Sequence, residues 1–194
     1  MENNYFEVWR KRGPVGKLHN IVFYIQKTPQ RQAEFRSLQT EVNWDDDTIL
    51  QVIPDNITRW NSVYKMIERA LILRNAIDLF SIRFSLLSST PLQDVLSADD
   101  WEELKIILLL LKPFYQLTIH LEGQAKNGQR GAIWETLPAM DLLLGHLETA
   151  KDEYQYSNYP HISICINNAW LVLNKYYCRT DISPVYIALV ILNP

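Results

Sequence analysis

The sequence predicts an all-α fold, and three observations lead to that prediction. The chain has only six glycines and nine prolines in 194 residues, against the roughly 23 that average usage would supply. Apolar residues make up 47% of the chain, several of them in long uninterrupted stretches. In most segments they recur at three- and four-residue steps, the period of a helix that buries one face. A chain of this length forms one compact domain or two small ones.

Residues 1–38 are predicted to be a basic helical segment. Leu18, Ile21, Val22 and Ile25 repeat with a helical period, and Thr28-Pro29 supplies a cap and a first-turn proline for a second short helix, through Leu38. Between residues 8 and 36 the net charge is +6, from Arg10, Lys11, Arg12, Lys17, Lys27, Arg31 and Arg36 against Glu34. The segment is therefore predicted to be a broken helical pair.

Residues 39–57 are predicted to be an acidic loop, and residues 58–194 an all-helical region. The loop carries Glu41, three consecutive aspartates at 45–47, and Asp55, and Pro54 interrupts any regular element. The aspartate run lacks the ligand spacing of a calcium loop, so a solvated acidic loop is expected.

The first part of the helical region is predicted to be one long helix of about six turns. It runs from Trp60 to Phe80, with Thr58 as its cap. Residues 97–100, Ser-Ala-Asp-Asp, resemble a capping box and start a further helix that Pro113 kinks or stops. Within that helix, residues 106–111 are apolar on every side and are expected to be deeply buried.

The C-terminal part contains a predicted loop around residues 124–130 and three further helices. Apolar stripes predict helices from Leu137 to Tyr154 and over residues 162–177, and Ser183-Pro184 starts a short one through Leu192. The apolar face of the second helix is expected to include Ile166, Ala169, Trp170 and Leu173. The apolar C-terminus suggests that both ends are cut and that a covering segment is missing.

The overall charge and the cysteines exclude several classes of protein. Nineteen Lys and Arg against 22 Asp and Glu give a net charge of −3, which argues against general polyanion binding but leaves a local basic surface open. Cys165 and Cys178 are too few for a disulfide framework and are expected to be packed thiols. No secretory signal is present, and the longest stretch without charged side chains, residues 154–174, is too polar for a bilayer, so no membrane partner is predicted.

The chain shows no pattern of catalytic or metal-binding residues. Its four histidines lie apart in the sequence, without an H-x-x-x-H pair, and no phosphate-binding glycine loop occurs. The expectation is therefore no catalytic residue, no metal ligand and no small-molecule substrate.

The pair Arg59-Trp60 has two open interpretations. At the start of a helix after a loop, a guanidinium can bind phosphate while an indole stacks on a base. The alternative is a tryptophan that anchors its helix in the core. The basic segment likewise has the alternative of an ordinary solvated face.

Several segments together resemble the hAT superfamily of DNA transposases, in particular its fungal branch. The likeness covers nearly the whole chain, and the number and order of the matching segments make it specific. They are residues 9–20 (WRKRGPVGKLHN), 28–31 (TPQR), 58–62 (TRWNS), 121–123 (LEG), 137–138 (LP), 174–177 (NKYY) and 183–188 (SPVYIA).

The resemblance implies a helical insertion into a ribonuclease-H-like catalytic core, whose three acidic residues hold two Mg²⁺ or Mn²⁺ ions. By the family pattern, two of these acids precede Met1 and the third follows Pro194, and an N-terminal zinc finger is absent as well. No catalytic residue or cofactor is therefore expected in this chain, whose catalytic core strands are largely missing. Arg59-Trp60 matches the family's Arg-Trp motif, whose tryptophan is thought to stack on a displaced base at the transposon end.

The function expected from the sequence is that of a truncated or remnant hAT transposase. Its helical region would contribute to binding of transposon-end DNA in the nucleus, with the remaining transposase segments or another copy as partners, and would not catalyse alone. The rival interpretation is a helical protein-interaction module without DNA contact. The candidate DNA-binding residues are Arg10, Lys11, Arg12, Lys17, Arg31, Arg59 and Trp60.

Overall fold

The computed structural model describes residues 2–42, 48–56, 61–87, 94–122, 135–155, 158–180, 182 and 184–192. All regular elements in these ranges are helices, which confirms the all-α prediction. They are α1 (Glu2–Arg10), α2 (Pro14–Gln26), α3 (Pro29–Val42), α4 (Asn61–Ile72), α5 (Arg74–Leu87), α6 (Ala98–Leu121), α7 (Thr136–Tyr154), α8 (Pro160–Thr180) and α9 (Pro184–Leu192). The chain divides into two compact units, Met1–Leu108 and Leu109–Pro194, a division that falls within the region predicted as 58–194.

Unit 1 (Met1–Leu108) has a continuous hydrophobic core between α2, α3, α4, α5 and the start of α6. The apolar stripe of each helix faces this core, as the helical spacing of the apolar residues predicts. Its fully buried side chains include Leu18, Ile21, Ile25, Leu38, Met66, Ile67, Ile77, Phe80, Trp101 and Leu104.

Two predicted helix starts in unit 1 are confirmed by their hydrogen bonds. The Arg31 amide donates to Thr28 Oγ1 at 3.3 Å, directly before the first-turn Pro29. At the start of α6, the Ser97 amide donates to Asp100 Oδ2 at 2.8 Å and the Asp100 amide donates to Ser97 Oγ at 3.1 Å. This reciprocal pair is the predicted capping box.

The N-terminal segment contains more helix than the sequence predicted. Residues 2–10 form α1, and α3 continues to Val42, four residues into the segment predicted as a loop. The extension of α3 has a tertiary cause, because Gln39 is buried and forms two hydrogen bonds with the backbone of Leu50, at 2.8 and 2.9 Å. Residues 48–55 are non-helical, and the aspartates at 45–47 lie outside the described residues.

The predicted long helix from Trp60 to Phe80 is instead two helices, α4 and α5, separated at Leu73. No proline or glycine causes this break, and Leu73 itself is buried. The two helices pack on different neighbours, α4 on α2 and α5 on α3. A bend at Leu73 lets both apolar faces reach the core. Thr58 and Trp60, the predicted cap and first residue, lie outside the described residues.

Helix α6 does not stop at Pro113 but continues to Leu121. The expectation that residues 106–111 are deeply buried is wrong, because all six are half-buried or exposed and Leu109 is 59% exposed. The reason is that the core of unit 1 ends along this helix, with Trp101 and Leu104 buried and Ile107 and Leu108 at its edge.

By length and composition, α6 is also the one helix within the described ranges that could cross a membrane. The same helix supplies core residues of unit 1 in its first two turns. The absence of a membrane partner stays a prediction from the sequence.

Unit 2 (Leu109–Pro194) is built around an antiparallel hairpin of α7 and α8. Lys151 donates to Asn167 at 2.9 Å and the Trp170 indole donates to Glu148 at 3.0 Å. The predicted helices over residues 137–154, 162–177 and 184–192 are confirmed as α7, α8 and α9. Buried apolar side chains in the described part of unit 2 are Ala139, Leu147, Ala150, Ile162 and Ile166.

Two expectations about side chains in unit 2 are wrong. Ala169, predicted on the buried face of α8, is exposed, whereas Ile166 is buried as predicted. Cys165 and Cys178 are exposed free thiols rather than packed ones. Within the described part of unit 2, α7 is the helix that packs most extensively on α8, so the side chains of α8 that lie away from α7 are left exposed.

Candidate nucleic-acid interface

The basic sequence between α1 and α2 forms a tight corner. The Arg12 amide donates to the Trp9 carbonyl at 2.8 Å and the Gly13 amide to the Arg10 carbonyl at 3.1 Å. Gly13 has φ 68° and ψ −147°, a backbone conformation that only glycine adopts without strain. Pro14 then begins α2 with its fixed φ.

Gly16 lets the two helices of this corner approach closely. A Cβ atom at Gly16 would lie 1.8 Å from the Trp9 carbonyl oxygen, so any larger residue would push α1 away from α2. The side chain of Asn20 adds a hydrogen bond to the Phe6 carbonyl at 3.0 Å. The segment 9–20 is therefore a structural unit that holds α1 against α2.

An aromatic stack lies on this corner. The rings of Trp9 and His19 are parallel within 11°, with their centroids 3.6 Å apart. The Arg12 guanidinium lies 4.2 Å from the centroid of the Trp9 ring. Because His19 occupies one face of the indole, Arg12 covers the other, in a cation–π contact.

His19 also connects the corner to the loop that follows α3. Its Nδ1 atom is hydrogen-bonded to Asp55 Oδ1, and its Nε2 atom lies 3.0 Å from the Tyr5 hydroxyl. A carboxylate oxygen accepts hydrogen bonds, so His19 Nδ1 donates to Asp55. Beside this network is an open cleft of about 690 Å³, lined by Tyr5, His19, Val22, Phe23, Pro54, Asp55 and Asn56.

Two of the predicted DNA-binding cations form ion pairs within unit 1. Arg10 makes two hydrogen bonds to the buried Asp94 carboxylate, at 2.7 and 3.0 Å, and this contact raises the pKa of the Arg10 guanidinium. Lys17 Nζ lies 2.7 Å from Asp100 Oδ2. Both cations tie the corner to the start of α6.

Arg31 is also engaged within the chain. Its guanidinium lies 3.6 Å from the centroid of the Tyr24 ring, and it donates to the Tyr24 carbonyl at 3.4 Å. The side chain therefore connects α3 to α2.

Of the predicted cations that the structure describes, Lys11 and Arg12 remain open to solvent. Both side chains are exposed, and within the described ranges Lys11 has no side-chain partner. They project from the turn between α1 and α2, where two positive charges lie beside the aromatic stack.

Arg59 and Trp60 lie outside the described residues, but the residues on both sides of them are described. Asn56 and Ser62 form two hydrogen bonds. The Asn56 amide donates to Ser62 Oγ at 2.6 Å, and Ser62 Oγ donates to the Asn56 carbonyl at 3.1 Å. Asn56 also follows Asp55, the partner of His19.

The described residues do not fit a catalytic metal centre. In the part of the chain that the structure covers, no three His, Cys, Asp or Glu side chains converge.

Three partners of the corner are not predicted from the sequence: Tyr5, Asp55 and Asp94. A signal existed for the first, because Tyr5 and Trp9 are four residues apart and share one face of a helix. No local signal exists for the others, since Asp94 is 84 residues from Arg10 and Asp55 is 36 residues from His19.

The segment 9–20 lies within a region that matches a known domain family. Residues 7–110 match the family described as the ZBED1 RNase-like helical domain. The chain is also 28% identical, over 165 residues, to a protein of Talaromyces stipitatus named "Putative transcriptional regulator tpeD". That match covers 85% of this chain but only 16% of the relative's length. No solved structure matches the chain.

The family match covers more than half of the chain and contains the last turn of α1, all of α2 to α5, and the first half of α6. The chain therefore belongs to the ZBED1 RNase-like helical domain family, a helical region of hAT-like, transposase-derived proteins.

Proposed function

We propose that this domain contacts DNA as part of a longer hAT-type chain of the fungal branch, truncated or remnant, and contributes to transposon-end binding without cleaving DNA itself. The observation that carries the proposal is the pair of exposed cations, Lys11 and Arg12, beside the aromatic stack. In the sequence, Arg59-Trp60 follows four residues after Asp55, the partner of His19, and is the pair that the family resemblance associates with DNA. In this proposal the protein acts in the nucleus.

The structure divides the candidate cations into two groups with different expected roles. Arg10 and Lys17 are neutralised by Asp94 and Asp100, so their removal should mainly affect folding. Lys11 and Arg12 can bind phosphate without losing an ion pair, and each phosphate contact also releases counterions. Trp60 would supply base stacking, which contributes about 1–3 kcal/mol per base.

The experiment is a binding titration of the 194-residue chain with a fluorescent DNA hairpin at several salt concentrations. We expect the binding constant to fall as the salt concentration rises. In the double variant Lys11→Ala/Arg12→Ala, the slope of the log binding constant against the log salt concentration should be smaller in magnitude by nearly two. Trp60→Ala should weaken binding at every salt concentration.

The matched control is Arg83→Ala/Lys105→Ala, which removes the same charge from cations paired with Glu41 and Glu102. It should leave the salt slope unchanged. Equal losses in both double variants would show that only net charge matters, and no binding of the unmodified chain at low salt would refute DNA contact.

The absence of catalysis is tested separately. Incubation of the purified chain with Mg²⁺ or Mn²⁺ and transposon-end DNA should give no cleavage. Metal-dependent nicking by the chain alone would contradict this part of the proposal.

A second candidate function is a protein-interaction module without DNA contact. The observation that favours it is the exposed apolar surface around α9, where Ile182 is 81% exposed and Val185 and Ile191 are also exposed. The relative named for transcriptional regulation is compatible with either candidate, since neither requires strand cleavage. The same titration separates the two, because this module should not bind the hairpin.

A further inference from the structure

The open cleft beside His19 in unit 1 combines two exposed aromatic residues with a buried carboxylate. Tyr5 and Phe23 line this cleft and are 40% and 42% exposed. Their ring centroids are 5.9 Å apart, and the ring planes are inclined by 47°. Asp55 lines the same cleft, and only 3% of its side chain is exposed. At about 690 Å³, the cleft has the size of a ligand-binding site.

The Asp55 carboxylate has capacity for a further hydrogen bond. Its Oδ1 atom accepts from His19 Nδ1, whereas Oδ2 has no partner within the described ranges. A carboxylate has about four acceptor sites on its two oxygens, and burial of a polar group without partners costs free energy. A donor that reaches Oδ2 therefore gains a hydrogen bond to Asp55 without displacing His19.

The charge of the cleft favours a cationic occupant. Its lining contains Asp55 and no lysine or arginine, so a phosphate or a carboxylate group would be repelled. An apolar side chain would exclude water from Asp55 without replacing the lost hydrogen bonds. A cation with N–H donors satisfies both the charge and the hydrogen-bonding capacity of this carboxylate.

The aromatic side chains favour a guanidinium over an ammonium ion. A guanidinium is planar, stacks on aromatic faces and has five N–H donors, so it can stack on a ring and bind a carboxylate at the same time. The chain itself contains such a stack, because the Arg12 guanidinium lies 4.2 Å from the Trp9 ring centroid. Among the described residues, no cation of the chain covers Tyr5 or Phe23.

We propose that this cleft binds an arginine side chain of a partner protein. The guanidinium stacks against Tyr5 and Phe23 and donates to Asp55, while the peptide on either side of the arginine occupies the rest of the cleft. His19 holds the Asp55 carboxylate in place through its hydrogen bond. The inference is independent of the proposed DNA contact, because neither exposed cation of the corner lines the cleft.

The first test is a titration of the isotope-labelled 194-residue chain with N-acetyl-arginine methylamide, followed by nuclear magnetic resonance. For a probe of this size we expect a dissociation constant of about 1 mM, with the largest chemical-shift changes at Tyr5, Phe23 and Asp55. The matched probe is the citrulline analogue, which has nearly the same shape but no charge. It should bind at least about 10-fold more weakly, and the lysine analogue should also bind more weakly than the arginine probe.

Two variants test the side chains of the cleft. Asp55→Asn removes the negative charge but keeps an acceptor for His19, and should weaken binding of the arginine probe by about 10-fold. Phe23→Leu removes an exposed ring, should weaken binding by about 2- to 5-fold, and tests the site even if Asp55→Asn does not fold. The control is Asp99→Asn, which removes the same charge from an exposed residue outside the lining and should leave binding unchanged.

Deoxyadenosine and deoxycytidine test an unpaired base as the occupant, because a base can also stack on an aromatic ring and donate a hydrogen bond. We expect both nucleosides to bind at least about 10-fold more weakly than the arginine probe, since they carry no positive charge. The proposal is overturned if the arginine probe causes no shift changes at about 10 mM, or if a nucleoside, the citrulline analogue or the lysine analogue binds as tightly. Unchanged binding in a folded Asp55→Asn variant or in Phe23→Leu would also overturn it.

Discussion

Units 1 and 2 are built from similar amphipathic helices but bury them to different extents. In unit 1 a continuous cluster of fully buried residues joins five helices. In the described part of unit 2 the buried apolar residues are few and include two alanines, while Ile164, Leu171 and Val172 are exposed. The difference teaches that the described helices of unit 1 cover one another's apolar faces, whereas those of unit 2 leave large apolar side chains exposed.

The largest expected contrast between the units comes from truncating one apolar side chain in each. Phe80→Ala removes a fully buried ring that contacts Phe35 and Phe84, and should lower the free energy of unfolding by about 3–5 kcal/mol. Leu171→Ala on the exposed face of α8 should change it by less than about 0.5 kcal/mol. Urea unfolding followed by circular dichroism measures both free energies. Similar losses would refute the contrast.

The next contrast uses two helical glycines. Gly16→Ala places a Cβ atom 1.8 Å from the Trp9 carbonyl oxygen, so α1 must shift and stability should fall by about 3 kcal/mol. Gly145 in α7 has open space around the same position, and Gly145→Ala should stabilise by about 0.5–1 kcal/mol, because alanine favours the helix. Thermal unfolding should show a lower stability for Gly16→Ala and a higher stability for Gly145→Ala. A loss of stability in Gly145→Ala would contradict the comparison.

A smaller effect is expected from the cations of the corner. Arg10→Ala leaves the buried Asp94 carboxylate without its partner and should cost about 2 kcal/mol, less than a fully buried pair because Arg10 is partly exposed. Lys11→Ala, one residue along, should cost less than about 0.5 kcal/mol. Arg10→Lys should be intermediate, since an ammonium cannot form both hydrogen bonds. The free energies of unfolding of the three variants test this order.

The smallest effect is a pH dependence within unit 1. Burial raises the pKa of the Asp100 carboxyl, but hydrogen bonds from Lys17 and Ser97 outweigh it and hold the pKa below its usual value. A lowered pKa in the folded state adds stability above the unfolded value of about 3.9, and this stability is lost as the pH falls through the folded value. Asp100→Asn retains an acceptor for the Ser97 amide but removes the charge that pairs with Lys17. It should therefore cost about 1 kcal/mol at neutral pH and progressively less below about pH 4.

Asp78 provides a control of opposite sign. Burial raises its pKa, more than the hydrogen bond from Trp101 and the charge of Arg74 lower it. A raised pKa of an acid means that stability is lost as the pH rises through the folded value. Asp78→Asn retains an acceptor for Trp101 and should be neutral or slightly stabilising at pH 7. The free energies of unfolding of Asp100→Asn and Asp78→Asn at pH 3 and pH 7 distinguish the two aspartates. The same pH dependence in both variants would refute the opposite pKa shifts.

Local signals predicted the helix starts correctly. Thr28-Pro29 and the Ser97–Asp100 box act through hydrogen bonds between residues three apart, so the sequence contains everything they require. The apolar stripes likewise predicted α7, α8 and α9, because helical periodicity depends only on spacing.

The errors concern positions that depend on a neighbouring element. No local sequence signal marks the break at Leu73, because the break follows from the packing of α4 and α5 on different helices. The exposure of residues 106–111 depends on where the core of unit 1 ends. At the candidate interface, the basic segment was predicted, but its division into two paired and two open cations depends on Asp94 and Asp100, more than 80 residues away.

The sequence by itself determined the helical class, the capping residues and the basic segment at the corner, because spacing and short-range hydrogen bonds are properties of neighbouring residues. Only the tertiary structure decided which cations are neutralised, which apolar faces are buried and where the long helix bends. Burial and ion pairing depend on groups that are distant in sequence, and their free energies exist only once the chain has brought those groups together.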